Sequence, residues 1–152
     1  MDKPINVHGT GLVLGETGVL LRGPSGAGKS VLALSLLDRW EGRGLPAFLV
    51  ADDRIELVAD RGGLVMHAPK SIAGLIELRG RGIVTRPHRD GVKLHLMIDL
   101  VPELVRMLED DALVTEVGGV VVARAPVPVA DSVSVAHQML LVVEAIAALG
   151  RP

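Results

Sequence analysis

The sequence predicts an α/β fold built on a phosphate-binding loop, and three stretches carry that prediction. "LLRGPSGAGKSVLALSLL", Leu20 to Leu37, reads as a strand, a glycine-rich turn and a helix. "AFLVADD", Ala47 to Asp53, has the form of a short buried parallel strand whose C-terminal end carries two carboxylates. The rest is dominated by strand patterns until a last helix, Ser132 to Leu149. At 152 residues the chain fits one domain, residues 1–152, around one core.

Taken in order, "INVHGTGLVLGETGVLLRG" predicts a hairpin that turns at Gly15 to Gly18 and feeds the glycine loop. From Lys29 to about Glu41 the apolar Val31, Leu32, Leu34, Leu36, Leu37 and Trp40 recur densely enough for a helix buried against a sheet, and "GRGLP" ends it. "RIELVADRGGLVMHA" predicts a hairpin turning at "DRGG", and "PKSIAG" one helical turn. "LIELRGRGIVTRP" mixes strand residues with glycines and basic residues. "VKLHLMIDLV" alternates as one strand from Val92 to Val101, and "LVTEVGGVVVARAPVPV" is a further strand pair. In the last helix Ser132 or Ser134 is the cap, and Val135, Met139, Leu140, Val142, Val143, Ile146 and Leu149 fall near a 3.6 period.

Composition excludes some functions. Trp40 and Phe48 are the only aromatics, so a base-stacking platform is not expected, and a net charge of −2 gives no electrostatic footprint for nucleic acid. Cysteine is absent, which removes disulfides and thiolate metal sites. No apolar run has the length of a signal peptide or a membrane span, and the expected location is cytoplasmic, with no membrane partner.

Gly23-Pro24-Ser25-Gly26-Ala27-Gly28-Lys29-Ser30 fits G-x-x-x-x-G-K-[ST] without a mismatch. Glycines let backbone N–H groups curl around phosphate oxygens, and the helix N-terminus adds partial positive charge. Lys29 can reach the β and γ phosphates of a nucleotide, and the Ser30 hydroxyl can ligate Mg²⁺. A crossover brings "DD" beside this loop: Asp52 then stands at the metal shell, and Asp53 is free to accept a proton from an attacking hydroxyl. A phosphate loop alone serves motors, GTPases and kinases alike. The guanine-reading N-K-x-D element is absent, and ABC-type ATPases need more chain.

"VHG" before the loop, "VADDRIEL" after the loop helix and "LIELRGRGIV" next resemble, in that order, the catalytic domain of the HPr kinase/phosphorylase family. The resemblance runs from about Ile5 to Leu149. It implies an α/β core related to the phosphoenolpyruvate carboxykinase fold, assembled as a homo-oligomer, commonly a hexamer. It also implies a short form without the family's additional N-terminal domain. The implied reaction is ATP- and Mg²⁺-dependent phosphorylation of a serine on an HPr-like phosphocarrier of the bacterial phosphotransferase system. Within it His8 matches the active-site histidine near the catalytic aspartate, Lys29 the phosphate-binding lysine, and Ser30 the metal-ligating serine. Asp53 matches the proton acceptor, with Asp52 near the metal. Glu77 matches a second Mg²⁺ ligand, and Arg79 belongs to the second signature. Arg106 falls about where the family has another active-site arginine, a surface helix arginine being the other reading.

Arg79, Arg81, Arg86 and Arg89 can meet an acidic carrier face or the transferring phosphoryl group. His67, His88, His95 and His137 form no metal-ligand spacing. One departure stands out. The family's P-V-R-P-G-R loop, associated with dephosphorylation, is replaced by "PVPVADS", Pro126 to Ser132, without the arginines that would grip phosphate. The reverse, phosphorylase reaction is therefore put in doubt. Two other readings use the same core: a small-molecule kinase, and a nucleotide sensor without chemistry.

Overall fold

A computed structural model describes residues 3–150. Strands β1 (Ile5–Leu14) and β2 (Thr17–Arg22) form the expected hairpin, with Leu14 opposite Thr17. The glycine loop leads into α1 (Lys29–Gly42), and the chain returns as β3 (Ala47–Ala51). Both β2 and β3 pair with β1, and both are antiparallel to it. They therefore run parallel to each other with β1 between them. This corrects the expectation that β3 lies in a parallel pair: β1, the hairpin partner of β2, already fills the place next to β2, so the crossover steps over one strand.

The N-terminal half of β1 pairs with β4 (Arg54–Asp60), which continues through β5 (Gly63–His67) to the short β8 (Val92–Lys93). On the other side β2 runs parallel to β9 (Leu96–Val101), β9 parallel to β11 (Val120–Pro128), and β10 (Val114–Val117) closes that edge. A separate hairpin, β6 (Leu75–Leu78) and β7 (Gly82–Thr85), follows a single 3₁₀ turn at Lys70–Ile72. The last helix, α2, is Val135–Ala148.

The segment Val92 to Val101 is two strands rather than the one predicted. Its alternation persists, because Val92, Leu94 and Leu96 are all buried, but the chain changes partners in the middle. Leu94 N–H donates to Leu64 O at 2.9 Å and His95 N–H to Gly18 O at 2.8 Å. Gly18 permits that approach: a Cβ there would stand 1.8 Å from Lys93 O. Helix α2 begins after Ser134, one of its two expected caps, whose hydroxyl accepts the His137 N–H at 3.2 Å. Of its periodic apolar residues Val142 is fully buried, whereas Val135 and Leu140 are exposed.

Two aliphatic layers flank the sheet. Leu12, Leu14, Leu21, Leu32, Leu36, Leu49 and Ile98 pack on the helix face, with Trp40 at the margin. Val13, Leu20, Val50, Ile55, Leu57 and Met66 gather on the opposite face, with Phe48 at the margin. Near the end of β2 that leads into the glycine loop, Arg22 donates to both oxygens of Asp99 at 2.7 and 2.9 Å, and Arg124 Nε donates to the same carboxylate at 2.5 Å. Burial opposes ionisation of Asp99, but the two guanidinium groups outweigh it and hold the carboxyl below its ordinary value. This ties together β2, β9 and β11 where the loop departs.

Candidate active site

The phosphate-loop motif, residues 23–30, runs from the end of β2 into the first turn of α1, as its sequence predicts. Gly28 caps the helix at φ 94, a left-handed conformation, and a Cβ there would lie 3.0 Å from the Ala130 Cβ. Both facts demand glycine. Lys29 folds back over the loop, donating from Nζ to Gly23 O at 2.6 Å and Pro24 O at 3.1 Å. Burial lowers its pKa from the ordinary lysine value, against the opposing pull of Asp53 and Asp52.

Asp52 reaches the loop because β3 is irregular. Gly11 lies opposite Ala51, yet its neighbour Leu12 lies opposite Leu49, so Val50 is an extra residue, a β-bulge. Ala47 and Leu49 pack on the helix face and Phe48 and Val50 on the other, but Ala51 also packs on the other face. Strict alternation would send Asp52 away from α1; the bulge turns it toward Ser30. The Ser30 hydroxyl lies 3.4 Å from both Asp52 oxygens, the Glu77 N–H is 3.3 Å from Oδ2, and the Thr10 hydroxyl donates to Oδ1 at 2.7 Å.

Asp53 faces elsewhere. Its φ of 72 places it in the left-handed region, which aspartate tolerates better than most residues, and its carbonyl accepts the Gly9 N–H at 3.1 Å. The side chain, 76% exposed, meets His8 Nε2 at 2.5 Å through Oδ1. Two successive carboxylates thus have different partners: Asp52 is held by the loop and β1, and Asp53 is paired with a histidine at the rim.

A cleft of about 500 Å³ opens between the loop, the end of β3 and the β6–β7 hairpin; Lys29, Ser30, Asp52, Asp53, Glu77 and Arg79 line it. Ser25, Gly26 and Gly28 contribute the loop side. Ser30 and Asp52 fit a Mg²⁺ ion on the chemistry of their donors, which are hard oxygens, with the Glu77 carboxylate in the same cleft. Their 3.4 Å separation is long for an O–H···O bond and close to the edge of about 3 Å that octahedral Mg²⁺ imposes on adjacent ligands.

The structure does not bring every sequence candidate into the cleft. Arg106 lies in an irregular segment, residues 102–109, rather than on the helix one reading gave it, and it is exposed and absent from the cleft lining. Leu104, Val105 and Met107 in it are all exposed, so the segment has no buried apolar face of the kind a packed helix presents. Arg86 turns back to Thr85 O, and Arg89 stacks on the Phe48 ring at 4.2 Å. Pro126 to Ser132 does reach the phosphate loop: Ala130 N–H points to Ala27 O at 3.3 Å, with no arginine in the stretch. Sequence reasoning missed Thr10, a threonine within a strand, which carries no signal of its own.

Comparisons with known proteins identify the family and the fold. A model of the family described as HPr Serine kinase C-terminal domain matches residues 1–149. The HPr kinase/phosphorylase of Bordetella pertussis is 38% identical over 109 residues, covering 69% of this chain and 33% of that protein. The protein of the same name from Geobacillus sp. is 41% identical over 102 residues, covering 64% and 31%. The chain thus spans about a third of the length of the curated relatives it matches. Among solved structures, that of the Hpr(Ser) kinase/phosphatase from Coxiella burnetii superposes with a TM-score of 0.74 at 28% identity, covering 94% of each chain.

Proposed function

We propose, because the chain belongs to the HPr Serine kinase C-terminal domain family, that it transfers the γ-phosphoryl group of ATP to a serine hydroxyl on an HPr-like phosphocarrier. The observation that carries this reading is the division of labour between Asp52, beside Ser30 in the phosphate loop, and Asp53, 2.5 Å from His8 at the open rim.

In this account the loop N–H groups and Lys29 bind the β and γ phosphates and offset the charge that develops as the bond between them breaks. Ser30 and Asp52, with Glu77 in the same cleft, would hold Mg²⁺, and the ion would supply neutralisation of the phosphate charge. The carrier's serine oxygen attacks the γ phosphorus in line, ADP departs, and the serine proton passes to Asp53 Oδ2. His8, on Oδ1, orients the carboxylate so that Oδ2 faces the acceptor. Asp53 is well exposed, which suits a protein substrate that must bring its hydroxyl to the rim. Arg79 lines the cleft and can steady the transferring group. Arg106 stands outside the cleft and is given no part in the transfer. Homo-oligomerisation belongs to the same reading, supported by the exposed Leu104, Val105, Met107 and Leu140.

The test is mass analysis of an HPr-type carrier after incubation with the protein, ATP and Mg²⁺. A single added phosphate on serine supports the reading, and an unmodified carrier rejects it.

A further inference from the structure

We infer that Thr10 is a positioning residue for the divalent cation, acting through Asp52. The inference rests on the reading that Mg²⁺ sits between Ser30 and Asp52. Thr10 is 0% exposed, one of few buried polar residues among those described. A buried hydroxyl requires a partner, and its partner is Asp52 Oδ1 at 2.7 Å. The other contacts to that carboxylate are long, 3.3 Å from Glu77 N–H and 3.4 Å from Ser30. The Thr10 bond alone has ordinary O–H···O length, so it fixes how the carboxylate is rotated.

The backbone makes this hydroxyl a rigid reference. Thr10 stands on β1 opposite Leu21 of β2, two residues before the first loop glycine, Gly23. It also stands beside the bulge that turns Asp52 to the helix face, next to Gly11 in the register with β3. As a β-branched residue in a strand it has restricted χ1 freedom. One strand therefore sets both the start of the phosphate loop, through its pairing with β2, and the orientation of the carboxylate, through Thr10. With Oδ1 held, Oδ2 and the Ser30 hydroxyl are presented together to the cleft. Partners of metal ligands commonly matter in this way: removing one costs about 10- to 100-fold in metal affinity.

The experiment measures binding of a fluorescent ATP analogue in EDTA and across a Mg²⁺ titration, for the wild type, Thr10→Val and Thr10→Ser, with thermal melting of each. Valine keeps the shape and removes the hydroxyl. The expected result is unchanged affinity in EDTA and a Mg²⁺ midpoint raised about tenfold in Thr10→Val, with Thr10→Ser close to the wild type. If Thr10→Val does not melt cooperatively, Thr10→Ala takes its place in the same comparison. A wild-type midpoint in the folded variant lacking the hydroxyl overturns the inference while leaving the metal reading intact. Nucleotide binding by the wild type that ignores Mg²⁺ overturns the metal reading itself, and this inference with it.

Discussion

His8 Nε2 lies 2.5 Å from Asp53 Oδ1, joining a residue of the first strand to one 45 positions later that holds a left-handed backbone. Backbone strain of this kind persists where the surroundings enforce it, here through the Gly9 N–H on Asp53 O. The pair predicts a graded loss of function. His8→Ala should lower the transfer rate by about tenfold to a hundredfold, less than loss of a general base, which is worth about 10²- to 10⁴-fold. ATP affinity should not move, since the His8 side chain bonds to Asp53 and does not line the cleft. Parallel measurements of kcat and nucleotide Kd check this, and a weakened Kd with normal kcat would count against it.

Lys29→Ala should weaken nucleotide binding and abolish transfer. In the free protein Lys29 also bridges Gly23 and Pro24, so the variant loses a loop brace as well as a phosphate contact. Titration calorimetry with ATP and Mg²⁺ tests the first effect and a phosphate-transfer assay the second. Transfer at the wild-type rate would refute the loop assignment.

The pH dependence of stability should show His95. Its Nδ1 accepts the Gly18 N–H at 2.9 Å, and burial, followed by the nearby Lys93 charge, lowers its pKa from the ordinary value. The unfolded chain then takes up the proton first. Stability is full above about pH 6.5 and falls as pH drops from there toward the lowered folded value. Denaturant midpoints between pH 8 and 5 should decline more in the wild type than in His95→Asn, whose side-chain oxygen can still accept from Gly18. Equal slopes would remove His95 from the account.

The stretch from Pro126 to Ser132 packs on the phosphate loop through Ala130, and it offers no guanidinium to grip a phosphoserine or inorganic phosphate. Adding inorganic phosphate to the phosphorylated carrier should therefore release little serine phosphate. Brisk release would show that arginines in this loop are dispensable for the reverse reaction.

Most of the fold was legible where local chemistry decides it. Gly15 and Gly62 sit at positive φ in the two hairpin turns read from "GETG" and "DRGG", and Ser134 caps α2 as its type suggests. What the sequence hid depends on partners distant in the chain. Val92 to Val101 reads as a single alternating strand, and nothing local records that Leu94 bonds to β5 while His95 bonds to β2. "AFLVADD" reads as a regular strand, yet the extra Val50 decides which face Asp52 takes. The phosphate loop could be read because its function resides in consecutive residues. Thr10 could not, because its meaning lies entirely in a carboxylate 42 residues away.

The central claim is best tested by transfer of labelled phosphate from ATP with Mg²⁺ to purified HPr-type carriers, comparing the wild type with Asp53→Asn. Asparagine tolerates the left-handed backbone at this position, so the folded state should be kept and only the proton acceptor lost. The account predicts labelling of a carrier serine by the wild type, a drop of at least about a hundredfold in the variant, and equal ATP affinity for both. Undiminished labelling by Asp53→Asn would contradict the assigned base, and ATP binding with no labelled carrier would contradict the substrate.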